Sequence, residues 1–361
     1  MYSVPNWLVA SIKLAISAAV FSILPLFMTT LSEHIPLTSI QLNMVATIEL
    51  MGFAMACGVN YYTSKKGFKY NDNFALAALS LCHLFSALAS DLPLFFLLRA
   101  LAGVFAGLVV VRSYDVLGRE VNADAAFGKA IAIQMLATAL LFLTLPYWLQ
   151  TYGASSMFFI LSALVALCLL FKPLRASDVD LSPSTSELDY SLVFLSLGAV
   201  AMVMMTHSAV WSTLGFYASS RQISVDAQGY IFSIGTLFSV VGALLATLEV
   251  VHHKKSKLLP LAIGFQCIVV WVLIADSSVL RFITATFFFQ LLWNFMLPLV
   301  LGSIAAGKHA RTIIGFVLVA QTFGAALGPV MLVSDWVLPE LLTMLLVTQF
   351  LVSSLVKPKP I

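Results

Sequence analysis

Long apolar stretches, separated by short polar, Pro or Gly breaks, run through this sequence almost from end to end. A helix that spans a bilayer needs about 20 mostly apolar residues. The stretches do not alternate as membrane β-strands do, and backbone groups in lipid must be paired within a helix or a closed barrel. The pattern therefore predicts an all-α membrane protein with twelve spanning helices. The predicted spans are Trp7–Met28, Ser39–Tyr61, Asn73–Ala89, Pro93–Val111, Ala126–Leu149, Ser156–Phe171, Leu192–Tyr217, Gly229–Val251, Leu258–Ala275, Leu280–Ala305, Ile313–Val333 and Leu338–Leu355.

Charged residues are scarce and unevenly placed along the chain. Only 10% of the residues are charged, 61% are hydrophobic and the mean hydropathy is +1.00, whereas a soluble domain carries about 25% charged residues. Fifteen of the nineteen Lys and Arg residues fall in even-numbered connections or the C-terminal tail, two fall in odd-numbered connections, and Lys13 and Arg99 lie inside spans. Because positive residues accumulate on the cytoplasmic side, both termini are expected in the cytoplasm, with the protein in a bacterial inner membrane.

A polar segment near the middle of the sequence divides the spans into two equal sets. Residues 173–190 are rich in Ser, Pro and acidic side chains, which predicts a cytoplasmic linker. The linker separates an N-terminal six-helix bundle, residues 1–172, from a C-terminal six-helix bundle, residues 191–361. Two halves with the same number of spans indicate an internal repeat, as is common in secondary transporters.

An arginine, Arg99, lies within the fourth predicted span. On a helix, the small residues Ala102, Gly103, Ala106 and Gly107 share its face, while leucine and valine side chains lie opposite. Small-residue stripes let helices pack closely, and a charged side chain inside a span normally faces protein or water. Arg99 is therefore predicted to face the interior of the bundle and to serve the function of the protein.

Glu49 is the acidic residue that lies well inside a predicted span, and we expect it to pair with Arg99. Two interpretations stay open at this point. The pair could be a structural ion pair, or Glu49 could carry a proton, because burial and a neighbouring arginine act on a carboxyl group in opposite directions. Lys13, about two turns into the first span, is expected to extend its ammonium group to the cytoplasmic surface.

Aromatic and polar residues occur together at mid-depth of spans seven and ten. His207 precedes Trp211 by four residues in span seven, and span ten contains Gln290, Trp293 and Asn294. Pockets for organic solutes combine aromatic walls with a few polar groups, so these five residues are predicted to contact a substrate. Hydrogen bonding between helices is the alternative interpretation of the polar members.

Three short motifs resemble motifs of the major facilitator superfamily. The run RALAGVFAG, residues 99–107, looks like the fourth-helix motif in which an arginine precedes a Gly-rich stripe. The loop NYYTSKKGFKY is similar to the family's basic loop between helices two and three, with Lys65, Gly67 and Lys69 in matching places. The family usually carries Asp where this chain has Ser64. In span eleven, GAALGP resembles the Gly-Pro pattern of gating helices. The fourth-helix motif assigns packing or gating roles to Gly103 and Gly107, and the span-eleven motif assigns them to Gly324, Gly328 and Pro329.

The resemblance implies two bundles that rock about a central site lined by helices one, four, seven and ten. Together with the buried charges Glu49 and Arg99, it predicts a monomeric secondary active transporter in the lipid bilayer that moves a small organic solute, with protons as the coupling ion. An uncoupled facilitator of the same fold is the alternative, followed by a transporter-like receptor or scaffold. The sequence has no HExxH pattern, no phosphate-binding loop and no clustered cysteines. We therefore expect no enzymatic activity, no metal or other cofactor and no nucleic-acid partner.

Overall fold

The computed structural model of the protein describes residues 4–65, 70–120, 123–174, 190–275, 277–305, 310–332 and 337–355. Side chains are described throughout these ranges except at residues 34, 61–65, 123–125, 252, 305 and 310–315. The described residues form α-helices and one short 3-10 turn, with no strand among them. Contacts within the chain divide it into two compact units, Met1–Ser182 and Pro183–Ile361.

The described part of the N-terminal unit contains eight α-helices, followed by the 3-10 turn Cys168–Leu170. They are α1 (Asn6–Ser17), α2 (Ala19–Ser22), α3 (Leu24–His34), α4 (Ser39–Lys65), α5 (Asp72–Leu88), α6 (Leu92–Leu117), α7 (Ala123–Tyr152) and α8 (Ser155–Leu167). The described part of the C-terminal unit contains α9 (Tyr190–Ser220), α10 (Val225–Ala246), α11 (Glu249–His253), α12 (Lys255–Ala275), α13 (Val279–Ala305), α14 (Ala310–Met331) and α15 (Val337–Leu355).

Eight of the described helices are long and apolar enough to cross a membrane, and shorter apolar helices occupy the other predicted spans. The chain is therefore a multi-pass membrane protein. Its all-helical character is confirmed for the described residues, and the count of twelve spans stays a prediction.

The first predicted span is not one continuous helix. Its helical backbone is interrupted at Ala18 and Ile23, and α3 continues to His34, beyond the predicted end at Met28. Pro25 lies in the first turn of α3. Proline has no backbone N–H and its ring collides with the carbonyl group of the preceding turn, which accounts for the break at Ile23. The break at Ala18 has no proline, and its backbone N–H still reaches the carbonyl oxygen of Leu14.

Glycines let several helix pairs come into backbone contact. A Cβ atom at Gly103 of α6 would collide with the carbonyl group of Glu49 on α4, and one at Gly107 would lie 2.7 Å from the carbonyl oxygen of Phe53. In the C-terminal unit, a Cβ atom at Gly324 of α14 would collide with the backbone of α9, and one at Gly328 would lie 2.7 Å from a carbonyl oxygen of the same helix. These positions accept only glycine without a shift of the facing helix.

The same helix pairings recur in the two units. In the N-terminal unit, α4 packs against α6, and α5 packs against both α6 and α8. In the C-terminal unit, α10 packs against α13, and α12 packs against both α13 and α15. The contact of α1 with α7 is likewise matched by that of α9 with α14. This correspondence is what an internal repeat of six helical regions would produce.

Candidate functional site

Arg99 is completely buried in the N-terminal unit. Its Nη1 atom donates to both carboxylate oxygens of Glu49 at 3.4 and 3.5 Å. Its shortest hydrogen bond, at 2.6 Å, runs from Nη2 to the hydroxyl oxygen of Ser86, and Nη2 also donates to the carbonyl oxygen of Cys82. The helical period placed Arg99 on the interior face of α6, and its buried neighbours Ala102 and Ala106 lie on that same face.

A buried histidine, His83 of α5, completes the polar contacts of the guanidinium. Its Nδ1 atom lies 3.4 Å from both Nη1 and Nη2 of Arg99. Because a guanidinium only donates hydrogen bonds, Nδ1 acts here as the acceptor. The sequence reasoning missed His83 and Ser86. Their signal was available, since they are polar side chains three residues apart in the otherwise apolar stretch of α5.

Two aromatic rings enclose the guanidinium on its remaining sides. The carbon atom of the Arg99 guanidinium lies 5.0 Å from the ring centroid of Phe158 and 5.9 Å from that of Phe95. A cation over an aromatic face is attracted by the ring quadrupole, more strongly where water is excluded. The guanidinium of Arg99 thus contacts side chains on four helices, α4, α5, α6 and α8.

A crevice lies beside Glu49, between the broken first span, α4 and α6, and we call it the Glu49 crevice. Its volume is about 350 Å³, counted to its open mouth. Ser17, Ala18 and Phe21 line one side, at the interruption between α1 and α2, and Glu49 and Gly103 lie across from them. The hydroxyl oxygen of Ser17 is buried and has no hydrogen-bond partner among the described residues. The crevice therefore contains one carboxylate and one unpartnered hydroxyl in apolar surroundings.

The predicted aromatic residues of spans seven and ten meet in the C-terminal unit. The ring of His207 on α9 stacks on Trp293 of α13, with 5.2 Å between the ring centroids, and it also lies 5.5 Å from Phe289. Trp211 meets Trp293 edge to face at 6.3 Å. His207 is fully buried, and its Nδ1 atom donates to the carbonyl oxygen of Val203 at 2.6 Å. In the part of the chain that the structure describes, Nε2 of His207 is buried without a hydrogen-bond partner.

The polar residues of α13 form a second group on the same helix. The side-chain oxygen of Gln290 accepts a hydrogen bond from the hydroxyl group of Ser239 on α10 at 3.2 Å, while its Nε2 atom is buried without a partner. The amide nitrogen of Asn294 donates to the backbone oxygen of Gln290 at 3.1 Å. Gly235 of α10 makes room for the Gln290 side chain. The structure thus brings His207, Trp211 and Trp293 together. The side chain of Gln290 instead faces α10, and that of Asn294 bonds back to the backbone of α13.

Comparisons of the whole chain with known proteins found similar structures but no similar sequences. No family model matches the sequence, and no curated protein sequence matches it. Among solved structures, a mutant of the nucleoside transporter NupG is 12% identical, with 98% of this chain and 100% of that chain covered and a TM-score of 0.76. The human organic anion transporter MFSD10 (TETRAN) is 15% identical, with 97% and 100% covered and a TM-score of 0.68. A bacterial homologue of the human lysosomal transporter Spinster, inward-facing and occupied, is 12% identical, with 90% and 79% covered and a TM-score of 0.66.

The chain has the fold of major facilitator superfamily transporters. The resemblance inferred from the three sequence motifs is confirmed at the level of the fold. The three structural neighbours are each named as transporters or transporter homologues.

The sequence predicts that Lys13, in the first span, extends its ammonium group to the surface. The structure shows that this prediction is wrong. Its ammonium group is completely buried and lies 2.6 Å from a carboxylate oxygen of Asp72, the first residue of α5. It also donates to the side chain of Asn73 and to the carbonyl oxygen of Lys172. The other carboxylate oxygen of Asp72 accepts from the backbone N–H of Leu174. The three N–H donors of the Lys13 ammonium group can thus be paired with three acceptors inside the unit.

The gating loop assigned by the motif resemblance lies largely outside the described residues. Gly67 and Lys69 are not described, and Lys65 is described only as the last residue of α4. Directly after this loop, the phenol of Tyr70 donates to the carbonyl oxygen of Leu108 at 2.7 Å. Pro329, the last residue of the span-eleven motif, lies inside α14.

Proposed function

We propose that this protein is a secondary active transporter that moves a small organic solute across the membrane by alternating access. The observation that carries the proposal is the buried Arg99–Glu49 pair inside a spanning unit of a transporter fold. Ionisable side chains within membrane spans are costly and generally mark substrate or ion pathways. A merely structural link between α4 and α6 would not need charged residues, because the glycine contacts already bring these two helices together.

Protons are the proposed coupling ion, and Glu49 is their proposed carrier. Its contacts with Arg99 are long for a charge-assisted hydrogen bond, which is typically about 2.7–2.9 Å. Arg99 also donates to the hydroxyl of Ser86 and the carbonyl oxygen of Cys82, and neither acceptor depends on the charge of Glu49. Protonation of Glu49 would therefore remove one ionic contact without leaving the guanidinium unpartnered.

The proposed solute contacts are His207, Trp211, Gln290, Trp293 and Asn294. Two of them, His207 and Gln290, have buried polar atoms without a partner, and such atoms gain free energy when a ligand supplies the missing hydrogen bond. A solute with an aromatic part and both donor and acceptor groups would suit this cluster. Nucleosides and organic anions, the substrates named for two of the structural neighbours, are the first compounds to screen by thermal shift on the purified protein.

The proposal also includes twelve spans, cytoplasmic termini and a monomer in a bacterial inner membrane, with Lys65, Gly67 and Lys69 in a cytoplasmic gating loop. Gly103, Gly107, Gly324, Gly328 and Pro329 are proposed to allow the helix movements of the transport cycle. These assignments rest on the distribution of Lys and Arg residues and on the motif resemblance.

Exchange of the acid for its neutral isostere tests the coupling. In proteoliposomes, Glu49→Gln should abolish solute movement driven by a pH gradient but preserve solute exchange without a gradient, because the neutral amide cannot take up a proton. The matched control is Glu33→Gln, which removes the same charge from an exposed position on α3.

Three outcomes separate the proposals. If Glu49→Gln loses gradient-driven movement and Glu33→Gln keeps it, the result supports proton coupling through Glu49. Unchanged pH dependence in this variant rejects that role. If the unaltered protein equilibrates solute but ignores the pH gradient, it is the uncoupled facilitator.

A further inference from the structure

Among the described residues of the N-terminal unit, two hydroxyl oxygens, those of Ser17 and Thr47, are buried without a hydrogen-bond partner, and of the two only Ser17 lines the Glu49 crevice. Ser11, Ser86 and Ser113 each donate to the carbonyl oxygen four residues earlier on their own helix, at 2.7 to 2.9 Å. Thr29 does the same. Ser17 is 5% exposed, and its hydroxyl oxygen is buried without any hydrogen-bond partner. A buried hydroxyl without a partner is unfavourable unless water or a ligand satisfies it.

The Glu49 carboxylate, on the other side of the same crevice, is also incompletely bonded. An ionised carboxylate has about four acceptor positions. In the described part of the chain it accepts only the two long contacts from one nitrogen atom of Arg99. Ser17 and Glu49 both line the Glu49 crevice, so one occupant could satisfy both.

The size and polarity of the crevice fit a water molecule. The space open to the centre of a water-sized sphere is about 20 Å³, and about 10–15 Å³ is enough to hold one water molecule. A buried water needs two to four polar partners, and Ser17 and the two Glu49 oxygens provide three. The other lining side chains are apolar or glycine, for example Ala46 and Phe53. They would not compete for the hydrogen bonds of the water.

Few charged groups act on Glu49 from the surrounding helices. Arg99 faces it from α6, and His83 of α5 lies behind Arg99. On α1, Lys13 lies one turn before Ser17, but its ammonium group is bound to Asp72. Glu49 is the one titratable residue among those that line the crevice.

We propose that Ser17 is a positioning residue which, with Glu49, holds a water molecule in the Glu49 crevice, and that protons reach the Glu49 carboxylate through this water. The inference rests on the proton-coupling role given to Glu49 in the proposed function. In the step, the water gives one proton to a Glu49 oxygen and takes one from a hydronium ion at the crevice mouth, which becomes water. The bridging water is unchanged, and Glu49 becomes a neutral acid.

Infrared spectroscopy of the purified full-length protein tests this inference with the proton itself as the probe. The C=O band of protonated Glu49 is identified by its loss in Glu49→Gln. In Ser17→Ala, this band should move to higher frequency, because the bridging water is held less firmly. After a rapid drop in pH, the band should also grow about tenfold more slowly, as expected for the loss of one hydrogen bond. Ser17→Thr, which keeps the hydroxyl group, should restore both properties.

The matched control is Ser11→Ala, on the same helix, whose hydroxyl is bonded to the carbonyl oxygen of Trp7. Because the Ser17 hydroxyl makes no hydrogen bond to any residue that the structure describes, Ser17→Ala is expected to fold normally. An unchanged band and rate in Ser17→Ala, or the same change in Ser11→Ala, would overturn the inference but leave the role of Glu49 intact. If no Glu49 band forms at any pH, both the relay and the proton-carrier role fail.

Discussion

The guanidinium of Arg99 is bound firmly on one side and loosely on the other. Its shortest hydrogen bonds reach Ser86 and the carbonyl group of Cys82, both on α5, whereas its contacts with Glu49 on α4 are longer. A buried charge that loses its only counter-charge is strongly destabilising, so this asymmetry matters. It allows the charge on Glu49 to change while Arg99 remains bonded to α5.

Tyr70 offers a residue-scale prediction at the end of the membrane region. Its phenol is bonded to the carbonyl oxygen of Leu108, and burial raises the pKa of Tyr70 from 10.0 to about 12. The folded protein therefore favours the neutral phenol, which stabilises it fully below pH 10. This contribution is lost as the pH rises through about 12.

Tyr70→Phe should accordingly lower the free energy of unfolding by about 1 kcal/mol at neutral pH, the usual net value of a hydrogen bond. The difference between the two proteins should shrink as the pH rises above 10. Thermal unfolding midpoints measured between neutral pH and pH 11 check both points. A difference that is constant over this range would contradict the protonation argument.

At the scale of elements, glycine stripes decide which helices make backbone contact. The contact of α4 with α6 depends on Gly103, where an added Cβ atom would collide with the backbone at Glu49. Backbone cannot move aside as a flexible side chain can. The same stripe therefore controls the distance between the helices that hold Arg99 and Glu49.

Gly103→Ala should destabilise the protein by about 1–3 kcal/mol, the usual cost of overpacking. Solute transport should fall with it, because the Arg99–Glu49 geometry is disturbed. The matched control is Gly264→Ala in the middle of α12, where an added Cβ atom meets nothing within 4 Å. Since alanine favours a helix over glycine by about 0.5–1 kcal/mol, this control should be neutral or slightly stabilising. Equal unfolding midpoints for the two variants would contradict the close-packing argument.

The sequence predicted which face of a helix is buried, but it did not predict which residues of neighbouring helices contact each other. The 3.6-residue period was enough to place Arg99 and its small-residue stripe on a buried face. His83 and Ser86 went unnoticed, because their importance arises only when α5 packs beside α6. Lys13 was assigned to the surface because the sequence did not reveal that Asp72 would lie next to it.

At the scale of the whole molecule, the chain is built from two units with matching helix pairs. The distribution of Lys and Arg residues predicts the orientation of both units in the membrane. Cysteine labelling in right-side-out vesicles tests this topology with an impermeant thiol reagent. Thr38→Cys, in an odd-numbered connection, should react directly, and Lys254→Cys, in an even-numbered connection, should react only after the vesicles are opened. Both positions are exposed. The reverse labelling pattern would invert the orientation, and direct labelling of both would contradict the span count.

The sequence alone determined the membrane-spanning helical character and the interior face of Arg99. These properties follow from hydropathy and helical period, which act within a single segment. The tertiary structure decided that Arg99 is held mainly by α5, that Lys13 pairs with Asp72, and that the interrupted first span opens a crevice beside Glu49. Such features depend on which distant segments pack together, because hydrogen-bond geometry and close packing act over a few ångströms between residues far apart in the chain.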